Sequence, residues 1–289
     1  MTRKRYIWRL RSREITLGDR TLLVGILNVT PDSFSDGGKY SEPDSAYARA
    51  LELEELGADI LDIGAESSRP GSVRIPEPEE TRRLTPVLKR LRGKLSIPVS
   101  VDTYKAVVAE RALDLGAEII NDPTALTFDP QLAKIAGKFD AGLILNHMRG
   151  TPETWAKLPP LKDPMATVLT DLTACLHRVM RAGLDRTRIV IDPGLGFGKR
   201  KDENADLLAR LTELARLDAP IMVGPSRKSF LKQSTEQETV FAGAAAVTAA
   251  ILGGAHMVRV HDVKEMAAAA RMADAVLRAR PAASIKSAP

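Results

Sequence analysis

The chain has 289 residues, of which 44% are hydrophobic and 27% are charged, and its formal net charge is +5. This is the balance of an ordinary globular protein, and it excludes a chain that is disordered over most of its length. The single cysteine, Cys175, excludes an intrachain disulfide and a zinc site built from several thiolates. A lone cysteine also suits a reducing compartment, so we expect a cytoplasmic location.

Neither nucleic acid nor a membrane is expected as a partner. The basic residues are spread along the chain, and no basic segment is rich in aromatic residues. Residues 3–5 are basic, but the sequence YIWR follows them rather than the apolar core of a signal peptide. The longest apolar stretch, residues 242–260, contains His256 and Arg259, so a helix followed by a buried strand explains it better than a membrane span.

Short apolar runs of the kind found in buried parallel strands recur eight times. They cover residues 22–27, 59–63, 97–101, 118–120, 142–145, 188–191, 220–223 and 257–260. Between them lie residues spaced as on one helix face, namely Leu84, Val87, Leu88 and Leu91, then Leu169, Leu172, Leu176 and Val179, then Leu207, Leu208, Leu211 and Leu214. Gly57, Gly116 and Gly254 each precede an alanine and the next strand, where glycine supplies a left-handed helix cap.

Strand followed by helix, repeated eight times, is typical of a closed (β/α)8 barrel or of an open doubly wound sheet. Polar residues at nearly every strand end favour the barrel, because there they would share one rim and one pocket. We therefore predict an α/β fold with a single (β/α)8 TIM barrel over residues 22–279. Residues 14–17, followed by a turn at Gly18 and Asp19, predict a short N-terminal hairpin within residues 1–21. Residues 280–289 are expected to form a flexible tail.

The polar residues at the predicted strand ends carry most of the candidate chemistry. Asp102 and Asp192 could each be a helix N-cap, but on one rim with Asn121 they indicate a ligand that presents several N–H donors. Lys228, Arg259 and His261 are expected to supply positive charge to the same rim. Arg259 lies within a strand pattern, and an arginine inside a barrel needs an anion or a carboxylate as its partner. An acidic wall and a basic wall fit a donor-rich heterocycle with a phosphate tail.

Several familiar catalytic motifs are absent from the sequence. It has no His-Glu-x-x-His zinc motif and no P-loop lysine. Gly194, Gly196 and Gly198 follow the sixth strand, but their spacing does not match the dinucleotide-binding fingerprint. The sequence leaves open whether these glycines form a tight turn or let a ligand approach the backbone.

Two longer segments resemble the signatures of the dihydropteroate synthase family. Residues 25–38 (GILNVTPDSFSDGG) resemble the first signature, and residues 62–71 (DIGAESSRPG) resemble the second. Shorter matches follow in the family's order at residues 101–103, 120–122, 147–148, 192–199, 226–229 and 259–263. Each short match is weak alone, but the ordered set is specific.

The resemblance implies a pterin-binding enzyme that joins p-aminobenzoate to dihydropterin pyrophosphate, releases pyrophosphate and is a homodimer. By matching position it implies a pterin site of Asp102, Asn121, Met148, Asp192, Phe197, Gly224 and Lys228. It implies a pyrophosphate site of Asn28, Ser68, Arg259 and His261, with Asn28 also a ligand of Mg²⁺. It implies a p-aminobenzoate site of Ser68, Arg69, Pro70, Phe197 and Ser229. The implied catalytic residues are Asp102, Lys228, Arg259 and His261.

The mechanism that the resemblance implies is dissociative. Pyrophosphate leaves first, and the exocyclic carbon becomes a cation that is delocalised into the pterin ring. An arylamine whose ring bears a carboxylate is a weak nucleophile, so a strong carbon electrophile is needed, and no covalent nucleophile is required. We expect the long loops after the first and second strands, residues 30–40 and 66–76, to close over the pterin substrate and build the p-aminobenzoate site.

Two other functions are compatible with a pterin-binding barrel. A methyltetrahydrofolate-binding methyltransferase would share the barrel and the pterin carboxylates, but it handles no pyrophosphate and would not need Lys228, Arg259 and His261 together. A catalytically silent paralogue would bind pterin without turnover. The short polar connection after Lys228 is the feature in favour of the silent paralogue, and the intact loop motifs oppose it.

Overall fold

Parallel strands and helices alternate along residues 3–30 and 42–279, the part of the chain that the computed structural model describes. The barrel strands are β3 Leu22–Asn28, β4 Ile60–Gly64, β5 Val99–Asp102, β6 Ile119–Asp122, β7 Gly142–Asn146, β8 Ile189–Asp192, β9 Met222–Val223 and β10 Met257–Val260. The helices are α1 Glu42–Glu55, α2 Glu77–Leu91, α3 Ala106–Asp114, α4 Leu132–Lys138, α5 Pro164–Arg181, α6 Lys201–Ala209, α7 Glu236–Leu252 and α8 Val263–Ala279. The predicted fold class is confirmed. The domain boundaries stay predictions, and the predicted tail, residues 280–289, lies outside the described residues.

The eight strands close into a barrel. The strand β3 pairs in parallel with β4 on one side and with β10 on the other. Pairing continues from β4 through to β8, and from β10 to β9. The barrel closes between β8 and β9, where Ile191 and Ile221 form a parallel bridge and the amide of Ile191 donates to the carbonyl of Pro220 at 3.0 Å. All carboxyl ends of the strands therefore meet at one rim.

Two elements are shorter than the sequence predicts. The strand β9 spans only Met222–Val223 and begins two residues later than predicted, because the predicted run starts at Pro220, which lacks the N–H that a strand ladder needs, and Ile221 forms only an isolated bridge with Ile191. The helix α6 ends at Ala209, and the leucine stripe predicted to continue it lies in a 3-10 helix, Leu211–Leu217. The stripe is still buried, so the change of helix type keeps the same residues in the core.

The predicted helix ends and the predicted face of α2 are confirmed. Gly57, Gly116 and Gly254 have φ values of +99°, +106° and +102°, which glycine adopts without strain. The helix α2 buries all four apolar residues predicted for its inner face. Within residues 3–30 and 42–279, no helix has both the length and the apolar character that crossing a membrane requires.

The N-terminal hairpin is present, but its turn is not where the sequence predicts it. The strands β1 Tyr6–Arg9 and β2 Glu14–Leu17 pair antiparallel. The turn between them lies at residues 10–13, where the amide of Leu10 donates to the carbonyl of Arg13 at 2.9 Å. Gly18, with a φ of +114°, instead turns the chain from β2 toward the barrel.

This hairpin closes the amino end of the barrel. Trp8 and Leu17 have no exposed surface, and the indole N–H of Trp8 donates to the carbonyl of Arg188 at 2.9 Å. An added Cβ on Gly142 would lie 2.9 Å from the Trp8 ring, so the ring sits directly against β7. Trp8 and Leu17 share one cluster with residues of β3, β4, β6, β7, β8, β9 and β10, namely Leu22, Val24, Ile60, Ile119, Ile144, Val190, Met222 and Met257.

We predict that Trp8→Ala lowers the free energy of unfolding by about 3–5 kcal/mol, because it leaves a large cavity at the amino end of the barrel. Urea denaturation followed by circular dichroism measures this change. Ile7→Ala is the matched control, since Ile7 lies on the same strand and is 44% exposed. It should change the free energy by no more than about 0.5 kcal/mol. Equal effects of the two substitutions would contradict the role of Trp8.

Candidate active site

Four of the predicted ligand-binding residues lie at or next to the carboxyl ends of barrel strands. Asn28 ends β3, Asp102 ends β5, Asp192 ends β8, and Asn121 is the last residue but one of β6. In the strand register Gly64 is the partner of both Asn28 and Asp102, and Asp102 is the partner of Asn121. The fold therefore places amide and carboxylate side chains around one opening.

Arg259 crosses the barrel mouth from β10 and pairs with two carboxylates. Its Nε donates to Oδ2 of Asp62 at 2.5 Å, and its Nη2 donates to Oδ2 of Asp102 at 2.7 Å. The sequence left a carboxylate or an anion open as the partner of Arg259, and the structure supplies two carboxylates. Burial opposes the charge on Arg259, but Asp62 and Asp102 together raise its pKa.

Sequence reasoning missed Asp62 as a site residue. Its side chain has no exposed surface, and besides Arg259 it accepts a hydrogen bond from Nδ2 of Asn121 at 3.0 Å. Its other oxygen, Oδ1, is buried without a hydrogen-bond partner among the described residues. Asp62 lies within an apolar strand, where no strand-end pattern marks it. Two signals could have found it, namely its charge inside an apolar run and its place at the start of the segment 62–71 that resembles a family signature.

Burial shifts the pKa values of the rim carboxylates upward. Burial raises the pKa of Asp102 to about 7, with Asp62 adding to the rise and Arg259 opposing it. Burial also raises the pKa of Asp192, against the opposing effect of Lys228. Oδ1 of Asp192 accepts the amide N–H of Gly194 at 2.7 Å, which leaves Oδ2 available to a ligand. Both carboxyl groups can therefore gain from a ligand that donates N–H groups to them.

Lys228 faces the turn that follows β8. Its ammonium donates to the carbonyl of Leu195 and lies 4.3 Å from the centre of the Phe197 ring. Burial lowers the pKa of Lys228 to about 7, although Asp192 opposes the shift. The Phe197 ring also meets Trp155 edge to face at 5.6 Å. Lys228, Asp192 and Phe197 thus form one wall of the site.

The three glycines after β8 form a tight turn that the chain itself requires. Gly194, Gly196 and Gly198 have φ values of +68°, +79° and +68°. A Cβ on Gly194 would lie 1.8 Å from the carbonyl oxygen of His147, and one on Gly196 would lie 2.8 Å from the Lys228 side chain. Contacts within the protein therefore account for these glycines, and the turn explanation is sufficient.

A buried lysine and a buried asparagine hold this turn in place. The ammonium of Lys199 donates to three carbonyls, of His147 at 3.1 Å, Gly194 at 2.7 Å and Phe197 at 3.2 Å. Oδ1 of Asn204 accepts the amide N–H of Gly196 at 2.7 Å. Sequence reasoning named neither as a site residue, because both act through the backbone of the turn.

His261 is partly buried at the rim. Burial, with Arg259 close by, lowers the pKa of His261 to about 3, which favours the neutral ring, so the positive charge expected of His261 stays a prediction. Its Nδ1 lies 3.0 Å from Oγ of Ser226, and that hydroxyl also accepts the backbone N–H of His261 at 3.1 Å. Gly224 lies beside Arg259, because a Cβ added there would be 3.5 Å from the Cβ of Arg259. In its neutral form His261 can therefore offer a ligand a hydrogen bond.

The loop after β4 carries another group of predicted residues. Ser68, Arg69 and Pro70 are all exposed. Ser68 lines a cavity beside the rim together with Asp102, Met148 and Phe197. Arg69, Pro70 and Ser229 do not line that cavity, and Ser229 is exposed after β9. The structure therefore brings Ser68, Met148 and Phe197 together with Asp102 and leaves Arg69, Pro70 and Ser229 outside the cavity.

Buried ion pairs anchor the base of this loop. Nζ of Lys105 contacts Oε2 of Glu66 at 2.6 Å and Oε2 of Glu80 at 2.5 Å, and it also donates to the carbonyl of Ile75 at 2.7 Å. Lys105 and Glu80 are almost fully buried. The hydroxyl of Tyr104 donates to Glu66 at 2.6 Å. The two ends of the loop are thus held while Ser68 and Arg69 project from it.

The rim offers few metal ligands of its own. Within residues 3–30 and 42–279 no group of three histidine, cysteine or carboxylate side chains could hold a metal ion. Asn28, the predicted metal ligand, is partly buried at the end of β3 and presents an amide oxygen there. Most of the first predicted loop, residues 31–41, lies outside the described part of the chain.

Comparisons with known proteins agree with this architecture. The model of the pterin binding enzyme family matches residues 24–261. The dihydropteroate synthase of Synechocystis is 42% identical over 265 residues, which cover 90% of this chain and 92% of that protein. A solved structure of the Xanthomonas albilineans dihydropteroate synthase with 4-aminobenzoic acid has a TM-score of 0.87 at 40% identity, over 94% of this chain and 99% of that one. A Clostridium difficile dihydropteroate synthase, solved in the presence of pteroic acid, has a TM-score of 0.84 at 41% identity, over 90% and 98%.

A pterin-binding barrel is the class of protein that this fold and this rim define, and the chain belongs to the pterin-binding enzyme family. The relatives are similar over nearly their whole length. Within that family the chain belongs to the dihydropteroate synthases, the transferases that move a pterinylmethyl group in folate biosynthesis.

We predict that Lys228 loses its charge as the pH rises through about 7, and with it the donor that it is expected to offer the pterin, so that its contribution to pterin affinity falls. Asp102, whose pKa burial also raises to about 7, ionises over the same range and acts in the opposite direction, so the contribution of Lys228 is the difference between the wild-type protein and Lys228→Met. Calorimetry of 6-hydroxymethyl-7,8-dihydropterin binding between pH 6.5 and 8.5 measures the effect. Lys228→Met should bind more weakly and lose the part of the slope that Lys228 causes. Identical slopes in the two proteins would contradict the assignment.

Proposed function

We propose that this chain condenses p-aminobenzoate with dihydropterin pyrophosphate through the rim residues described above. The observation that carries the proposal is the rim itself, where Asp102, Asn121 and Asp192 lie at or next to the strand ends. Arg259 contacts Asp102 there, and Lys228 lies near Asp192. Relatives with the same fold have been solved with 4-aminobenzoic acid and with 7,8-dihydropteroate. The substrate and product named there fit a site that offers both hydrogen-bond donors and acceptors.

The pterin is proposed to lie between the acidic residues and Lys228. A pterin ring presents an exocyclic amine and a ring N–H side by side, and one carboxylate can accept both. Oδ2 of Asp192 is available to the pterin, because the amide N–H of Gly194 is bonded to Oδ1. Asp102 can accept hydrogen bonds from the other donors of the ring. Lys228 would donate to the ring carbonyl. Met148, Phe197 and Gly224 would provide the apolar and backbone walls.

The pyrophosphate is proposed to bind where Arg259 and His261 meet the rim. Arg259 brings a full charge, and neutral His261 brings a hydrogen bond. Asn28 and Ser68 would complete the anion site from the loops after β3 and β4. Because Arg259 is already paired with carboxylates, the pyrophosphate must compete with them for its guanidinium.

The donor set fits Mg²⁺ as an ion that the substrate helps to hold. Mg²⁺ prefers oxygen ligands and keeps several waters, so one amide oxygen from Asn28 together with pyrophosphate oxygens suits it better than a protein cage would. When bound, Mg²⁺ would neutralise charge on the departing pyrophosphate.

The reaction is proposed to be dissociative. The bond between the exocyclic carbon and the pyrophosphate oxygen breaks first, and Arg259 and His261 stabilise the departing anion. The resulting cation is stabilised by the ionised carboxylate of Asp102. The amine nitrogen of p-aminobenzoate then attacks the carbon and loses a proton. Ser68, Arg69, Pro70, Phe197 and Ser229 are proposed to position the p-aminobenzoate.

A homodimer and a cytoplasmic location stay part of the proposal. Three large apolar side chains on neighbouring helices support a second copy of this chain as the partner. Phe241 of α7 is 63% exposed, and Met272 and Val276 of α8 are 65% and 38% exposed. Exposed apolar residues that lie close together are typical of subunit interfaces. The lone cysteine, which is buried, is compatible with a reducing cytoplasm.

The proposal predicts that the wild-type protein forms one dihydropteroate for each pyrophosphate released. Asp192→Asn should weaken binding of 6-hydroxymethyl-7,8-dihydropterin about ten- to a hundredfold, because a buried charge-assisted hydrogen bond is lost, and turnover should fall with it. Calorimetry and a pyrophosphate-release assay measure the two effects. Asp202→Asn, in the exposed first turn of α6, is the control.

Each outcome of this experiment separates the alternatives. A catalytically silent paralogue would bind the pterin and release no pyrophosphate with both substrates present. A methyltransferase would bind methyltetrahydrofolate and make no dihydropteroate. An unchanged dissociation constant in Asp192→Asn would remove Asp192 from the pterin site.

We predict that Arg69→Ala raises the Michaelis constant for p-aminobenzoate and leaves pterin affinity nearly intact. Arg69 is exposed on a loop whose backbone is held by a hydrogen bond from the amide of Gly71 to the carbonyl of Pro152 at 3.0 Å. A site that closes less well would also let water trap the cation, so pyrophosphate release should exceed product formation. The measurement is the ratio of product to pyrophosphate. Arg181→Ala, an exposed change at the end of α5, should leave that ratio at one, and an unchanged ratio and Michaelis constant in Arg69→Ala would refute the role.

A further inference from the structure

One oxygen of Asp62 accepts hydrogen bonds from two residues of the candidate active site. This oxygen, Oδ2, accepts from Nε of Arg259 at 2.5 Å and from Nδ2 of Asn121 at 3.0 Å. Asn121 belongs to the pterin wall of the proposed site and Arg259 to the pyrophosphate wall. Asp62 is the side chain that joins the two, and it has no exposed surface of its own.

The two ends of the Arg259 guanidinium are held differently. The Nε end meets Asp62, which is 0% exposed, while the Nη2 end meets Asp102, which is 19% exposed. A charge that is fully buried cannot be left without its partner at low cost, whereas a group at the open rim can exchange partners with a ligand. The Nε contact is therefore the fixed one, and the Nη contact is the one that a substrate can replace.

We propose that Asp62 is a positioning residue that tethers Arg259 by its Nε, so that the Nη end exchanges between Asp102 and the pyrophosphate of the substrate. This inference rests on the proposed function. Before substrate binds, Arg259 and Asp102 satisfy each other. When the pyrophosphate takes the Nη end, the carboxylate of Asp102 is released to face the pterin and the cation that forms on it.

The same tether sets the orientation of Asn121. An ionised carboxylate only accepts hydrogen bonds, so the amide nitrogen of Asn121 must point at Asp62 and its oxygen must point elsewhere. That oxygen can then accept an N–H of the pterin. Asp62 thus prepares both walls of the site without contacting the substrate.

Through this exchange, binding of the phosphates to Arg259 makes the carboxylate of Asp102 available to the pterin. A pterin without phosphates would leave the Arg259–Asp102 pair intact and meet a carboxylate that is already engaged. A pterin pyrophosphate would replace that pair with a new one. The ratio of the two affinities therefore reports the tether, and a residue with only a structural role would leave this ratio unchanged.

The test compares binding of dihydropterin pyrophosphate with binding of 6-hydroxymethyl-7,8-dihydropterin by calorimetry in the full chain. Asp62→Asn keeps the shape but removes the charge, and we expect it to lower the ratio of the two affinities at least about tenfold. Asp122→Asn is the matched control, since Asp122 is a buried carboxylate two strands away that bonds only to its own turn, at Thr124 and Leu126. It should lower the melting temperature and preserve the ratio.

A double variant separates loss of the tether from a general effect of Asp62→Asn on folding. Arg259→Ala removes the group that the tether holds, so Asp62→Asn should change the ratio less than about twofold in that background. A further tenfold loss there, or an unchanged ratio in Asp62→Asn alone, would overturn the inference. Absence of pyrophosphate release by the wild-type protein with both substrates would instead overturn the proposed function, since the affinity ratio does not depend on turnover.

Discussion

The pairing of Arg259 with two carboxylates is the interaction on which the rim depends. A guanidinium at a barrel mouth loses most of its hydration, and its charge persists there only because Asp62 and Asp102 lie within hydrogen-bond distance. The three side chains come from β10, β4 and β5, and β3 lies between β10 and β4 in the sheet. The order of the strands therefore brings together residues that are far apart in the sequence. The electrostatics of the site and the topology of the sheet are thus linked, and the remaining rim residues lie around these three side chains.

The turn after β8 is the second element that the site requires, and it depends on backbone rather than on side-chain charge. Its glycines let the chain approach the carbonyl of His147 and the stem of Lys228 more closely than any side chain would allow. Lys199 then binds three carbonyls of this region, and Lys228 binds the carbonyl of Leu195. The two lysines, whose pKa values are lowered, thus bind backbone carbonyls of this turn. The Lys228 ammonium can still donate a hydrogen bond to a ligand.

The sequence predicts those residues of this site that lie at the ends of strands. Asn28, Asp102 and Asp192 each follow an apolar run, and the (β/α)8 pattern alone places such residues on one rim. Strand ends do not predict Asp62, because it lies inside its apolar strand. Its role depends on Arg259, which is nearly 200 residues later in the sequence. The lowered pKa of His261 could not be predicted for a related reason, since it follows from burial that only the folded chain defines. The turn of the hairpin lies at residues 10–13 rather than at Gly18 and Asp19, because β2 pairs with β1, which precedes it in the sequence.

The site needs opposite charges at short range, because under the proposed mechanism one substrate carries an anion that leaves and a carbon that becomes a cation. If the Arg259 side chain were free to move, its guanidinium could approach the cation on the substrate and oppose the reaction. Its Nε contact with Asp62 prevents this by holding the guanidinium to the wall of the barrel. Burial raises the pKa of Asp102 to about 7, and Arg259 beside it favours the anion. Under the proposed exchange, the cation that forms on the substrate takes the place of Arg259 in favouring the ionised form of Asp102 when the pyrophosphate draws Arg259 away. Each charge would then have a partner at every stage, which is the condition for separating charge at low cost.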